Sequence, residues 1–164
     1  MSKSNKTGRS KGEGRYIALR HWLYDSRAWH SLSAGARSVY LMLQRRYAGP
    51  GSNNGSIPLS IREVVEEFHV GKSTAHGWFV ELQERGFIEV VIRGTFSRKD
   101  RRATEWRLTE YVCDLTGELP SKQFMRWQPG SNFTVRPQVH SVLPGEPNGT
   151  CRRTVHLQKV AHGI

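Results

Sequence analysis

Between residues 59 and 109 the spacing of apolar side chains changes once from helical to strand-like, and this constrains the fold more than any other feature of the chain. Past Ser60 the apolar positions are Ile61, Val64, Val65 and Phe68, and, after a break at His69, Val70 and Gly71, they are Ala75, Trp78, Phe79 and Leu82. Steps of three and four place each set on one face of an α-helix. Beyond Gly86 the period falls to two. Val90 and Ile92 alternate with Glu89 and Val91, and Thr104, Trp106 and Leu108 alternate with Ala103, Glu105 and Arg107. Two alternating runs separated by a polar loop predict a hairpin.

Local chemistry punctuates the same stretch. Ser60 with Glu63 three residues on is a capping box. Gly71 stands where a tight turn needs a permissive backbone, and Gly86 where a helix end needs one. Helix, short turn, helix, hairpin is the order of an α+β winged helix-turn-helix, a three-helix core plus a β-hairpin wing. In that arrangement the second helix of the pair enters a DNA major groove.

The preceding residues supply the third helix. Residues 15–19 read as a short strand or extended lead-in, and 21–29 as one short helix anchored by Trp22, Leu23 and Trp29. Ser31 and Ser33 offer capping hydroxyls to a helix over 34–47. Its buried face is Ala36, Val39, Tyr40, Leu43 and Tyr47, with Arg37, Gln44, Arg45 and Arg46 on the other side. The turn-rich run 49–55 stops it, and Pro58 makes 56–59 an edge strand that can join the hairpin. Four segments result: a disordered basic arm at 1–14, the winged domain at 15–109, a C-terminal strap at 110–127 and a disordered tail at 128–164. Tyr111, Leu115, Phe124, Met125 and Trp127 are the residues with which the strap would pack. The tail is rich in proline and glycine, and the likeness of 134–140 to 154–159 within it is too slight for a repeat fold.

Charge narrows the class of partner. Lys and Arg number 25 against 14 Asp and Glu, a net +11 and a pI near 10.3, which favours a polyanion such as nucleic acid. No apolar run reaches the ~18 residues that span a bilayer, so no membrane partner is expected. The basic N-terminus is followed by no apolar core of a secretory signal. Cys113 and Cys151 suit a reducing compartment, and the expected location is cytoplasmic, at the nucleoid.

Base reading requires side chains near the start of the second helix that packing leaves free. Those are Lys72, Ser73, Thr74, His76 and Gly77. Ser73 and Thr74 can bond phosphates or base edges, His76 can donate to guanine, Gly77 lets the backbone come close, and Lys72 suits a phosphate. In the wing, Arg93, Arg98, Lys99, Arg101 and Arg102 suit phosphates or the minor groove. Six to eight neutralised phosphates would give a slope of log affinity against log salt of about −5 to −7. Gly71, Lys72, Ser73 and Thr74 imitate the end of a phosphate-binding loop, but that motif needs glycine where Glu66 stands, and no strand precedes it. The seven histidines show no metal spacing, and no nucleophile–base set can be assembled. No enzyme activity, cofactor or metal is expected.

From 15 to 109, about 95 of 164 residues, the chain resembles winged helix-turn-helix proteins of bacteria, their plasmids and prophages. The phrase that begins Ser60, Ile61, Arg62, Glu63 and runs to Gly86, Phe87 and Ile88 carries that resemblance. The lead-in, with Tyr16, Ile17, Ala18, Leu19, Trp22, Ser26, Trp29, Leu32, Ser33, Tyr40 and Leu41, is similar to N-terminal domains of phage and plasmid replication initiators, the replisome organisers. The resemblance implies sequence-specific binding of double-stranded DNA by a transcriptional regulator. Its alternatives are a replication initiator that binds an origin and recruits through its C-terminal tail, and a winged-helix protein-interaction module. Implied partners are double-stranded DNA, a second copy held through the N-terminal helices, and a replication or transcription protein on the tail.

Overall fold

Serine hydroxyls set the boundaries of the first three helices. Ser26 Oγ accepts from the Trp29 amide at 3.2 Å and donates to the Leu23 carbonyl at 2.7 Å, closing one helix and opening the next. Residues 21–29 are therefore not the single helix expected but part of two, α1 (His21–Tyr24) and α2 (Arg27–Ser31). Ser33 caps α3 (Ala34–Arg46), which buries Ala36, Val39, Tyr40 and Leu43 as its spacing predicts. Gln44, expected on the outer side, is also buried. Its amide donates to Tyr40 Oη at 2.9 Å and to Glu110 Oε2 at 3.0 Å, which offsets the loss of water.

The computed structural model describes residues 16–96 and 101–133. Among them five α-helices and a small three-stranded antiparallel sheet make an α+β fold. The expectations for the basic arm at 1–14, for Arg98 and Lys99, and for the tail from 134 onward lie outside the described residues.

The capping box forms on α4 (Ile61–Phe68): Ser60 Oγ accepts from the Glu63 amide, and the Glu63 carboxylate accepts from the Ser60 amide. Burial pushes the Glu63 carboxyl up. Hydrogen bonds from Arg46 and Ser60 outweigh that and hold it below its ordinary value. The turn to α5 (Lys72–Glu84) departs from expectation. His69, not Gly71, takes the left-handed conformation, with φ 53°, while Gly71 is extended and serves as the N-cap of α5. Gly86 behaves as predicted, with φ 76°. A Cβ there would also lie 2.7 Å from Gln123, so both backbone and space require glycine.

The sheet brings together distant segments. β1 (Ile57–Pro58) and β2 (Ile88–Ile92) flank β5 (Glu105–Leu108), with Ile57 and Val90 both opposite Trp106. The hairpin continues into a second ladder, β3 (Thr95–Phe96) with β4 (Arg101–Arg102), inside what the sequence presented as an open tip. Trp106 stacks on Phe79 of α5 at 4.8 Å, and its Nε1–H donates to the Leu59 carbonyl at 2.8 Å. Behind it Trp29, Tyr40, Phe87 and Phe124 form a second aromatic cluster.

Phe124 and Trp127 anchor the strap as expected, but Leu115 and Met125 are 57% and 51% exposed and do not. The packed chain also runs past 128, where a disordered tail was expected to begin. The Phe133 amide donates to the Glu84 carbonyl at 2.7 Å, and its ring packs on the core beside Gly86.

Two buried polar groups tie the strap to earlier segments of the chain. Asn54 is wholly buried; its amide nitrogen faces the carbonyls of Leu108, Tyr111 and Val112 at 2.8–3.2 Å, and its oxygen accepts from the Leu108 amide. Glu110 is buried at the end of β5, accepting from Tyr40 Oη at 2.8 Å, with Arg20 Nε at 3.4 Å. Burial raises the Glu110 carboxyl above its ordinary value, and burial followed by the Glu110 charge raises the Tyr40 phenol well above its own.

Asn54→Ala should therefore destabilise the protein by about 3 kcal/mol or more, because it strands several buried backbone groups. Asn54→Asp should be little better, since a carboxylate has no N–H for three carbonyls; thermal unfolding measures both. For Glu110 the folded state keeps its proton to a higher pH than the unfolded state does. Stability is then lost as pH rises from the ordinary glutamate value through the folded one. The stability difference between Glu110→Gln and the natural chain should move in the variant's favour across that window, as measured by denaturant titration at several pH values.

Candidate nucleic-acid interface

The outer face of α5 is set by what its inner face must bury. Ala75, Phe79 and Leu82 point into the core, so the positions between them turn outward. Lys72, Ser73, Thr74, His76 and Gly77 are all exposed, and the first turns of one helix bring them together. Trp78, expected to be buried, is only half-buried: its ring meets Phe68 edge-on at 5.8 Å and lies over Gly35 of α3. A Cβ on Gly35 would come within 2.0 Å of that indole, so this glycine sets how closely α3 approaches α5. Sequence reasoning overlooked Gly35, although a glycine inside a predicted helix was a readable signal.

Electrostatics favour an anion at this end of the helix. The first turn of α5 contains no acidic residue, and Gly71 brings no side chain to cap it. Its leading N–H groups and the positive end of its dipole face outward. The acids of α5 lie toward the far end and are engaged. Glu81 accepts from the Ser33 amide and hydroxyl at 2.8 and 2.6 Å, and Glu84 lies 3.8 Å from Arg85. On α4, Glu66 pairs with Arg62 at 2.7 Å.

The arginines of the hairpin divide into two kinds. Arg93 is exposed, with no ion pair among the described residues. Arg102 is exposed but donates through Nε and Nη2 to Glu105 Oε1, at 3.0 and 2.7 Å, which neutralises part of its charge. Arg101 lies in β4, and its side chain is outside the described residues together with Arg98 and Lys99. Arg107, one turn of the pleat inward, is buried between Glu118 at 2.5 Å and Glu89 at 3.6 Å and is structural. Because β5 packs on α5 through Trp106 and Phe79, the returning strand of the hairpin is fixed against the helix that carries the polar row.

Among the described residues no group of three His, Cys, Asp or Glu could hold a metal ion, and no helix is long and apolar enough to cross a membrane. Compared with known proteins, the chain matches no family model, no curated protein and no solved structure.

Proposed function

We propose that this chain is a winged helix-turn-helix protein that binds double-stranded DNA in a sequence-specific way and acts as a transcriptional regulator. The observation that carries the reading is the exposed row Lys72, Ser73, Thr74, His76 and Gly77 at the start of α5, free of acids and backed by the hairpin strand. A major groove about 12 Å wide admits a helix of this kind. Lys72 and the open N–H groups meet a phosphate; Ser73, Thr74 and His76 reach base edges or adjacent phosphates. Arg93, Arg98, Lys99, Arg101 and Arg102 hold the flanking backbone from the wing, and Arg102 exchanges Glu105 for a phosphate as it does so.

The net charge of +11 supports the reading, since a cationic chain is drawn to DNA over long distances. The similarity of the lead-in to replication initiators favours a second role for the same contact, binding of repeats at an origin. Sites at a promoter would speak for regulation, and an iterated array for replication.

Selection of duplexes from a random pool by the purified protein is expected to return a defined site. Replacing Ser73 and His76 together by Ala should flatten the base preference, at about 1–3 kcal/mol per lost base contact. Replacing Arg101 and Arg102 by Ala should weaken all duplexes alike and make the salt slope, about −5 to −7 for the natural chain, shallower. Retention of no duplex would sink the DNA reading. An unchanged preference in the first variant would sink the assignment of α5.

A further inference from the structure

Among the described residues two glycines lie inside helices, and the structure accounts for only one. At Gly35 a side chain would collide with Trp78 at 2.0 Å, so the packing of α3 on α5 requires its absence. At Gly77 a Cβ would meet no atom within 4 Å, the residue is exposed, and its backbone is ordinary helix. Neither space nor dihedral angle demands glycine there. Its effect within the protein is to weaken α5 relative to alanine.

Resting on the DNA reading above, we infer that Gly77 is where the α5 backbone comes closest to the duplex, and that the group it receives is the methyl of a thymine in the major groove. Inside a helix the N–H and C=O of Gly77 are engaged along the helix itself. With no side chain, the residue offers a partner only the apolar surface of Cα. A base edge made of donors or acceptors would lose its water against that surface and gain no bond. Thymine alone presents an apolar group in the major groove.

The test uses the full chain, the duplex it selects and copies in which each thymine in turn is replaced by deoxyuridine, which lacks only the methyl. One position is expected at which uracil weakens binding by the natural chain about fourfold. Gly77→Ala should weaken binding to the thymine duplex at least as much and recover most of that loss on the duplex with uracil at the same position, because the new methyl fills the space. Gly77→Leu should bind neither. Both variants should melt no lower than the natural chain, with Gly77→Ala about 3–6 °C higher. Should uracil have no effect at any position, or Gly77→Ala bind both duplexes as the natural chain does, the thymine contact is overturned while the DNA reading stands. Should the natural chain select no duplex, both fall together, before any uracil is introduced.

Discussion

The stack of Phe79 on Trp106 is the contact on which the rest of this structure depends. Two large rings 4.8 Å apart and nearly parallel join the middle of α5 to the middle of the sheet. The Trp106 N–H then fastens that strand to Leu59, at the entry to the helix pair. Such a pair is worth about 0.5–1.5 kcal/mol beyond the area it buries, but its greater effect is on orientation. With Phe79 turned inward, Ala75 and Leu82 must follow, and Ser73, His76 and Gly77 are left on the outside. The face proposed to meet DNA is thus a consequence of core packing.

The placement of charge follows a similar logic. Among the described residues most glutamates stand beside an arginine: Glu63 with Arg46, Glu81 and Glu84 with Arg85, Glu105 with Arg102, Glu89 and Glu118 with Arg107, Glu110 with Arg20. Pairs at the surface add little stability. Their effect is to neutralise the carboxylates they hold. The first turn of α5 itself carries no acid, which suits the positive end of the helix dipole.

Elements with one-sided apolar patterns and local caps were readable from sequence. The helices α3, α4 and α5, the capping box at Ser60, the edge strand at Ile57 and the helix end at Gly86 all belong to that class, because each depends on residues within a few positions of one another. Gln44, Asn54 and Glu110 were not readable. Sequence patterns assign polar residues to the outside, and what holds these three inside is a set of partners about 55–70 residues away. Ser26 escaped for a different reason: one hydroxyl ends one helix and starts the next, which periodicity alone cannot detect. The exposed row on α5 was legible as the complement of the buried one. The Arg102–Glu105 pair was visible as a spacing, but the spacing could not say that the arginine turns toward its neighbour.

The claim that the outer face of α5 is the binding surface is tested most directly by amide chemical shifts of the isotope-labelled full chain during titration with its selected duplex. The account predicts that the largest changes fall on residues 72–80 and on the hairpin from Arg93 to Arg102, with the exposed apolar residues Val112, Leu115 and Leu119 unmoved. Changes concentrated around those three, or around Tyr16 and Tyr24, with the start of α5 silent, would contradict it.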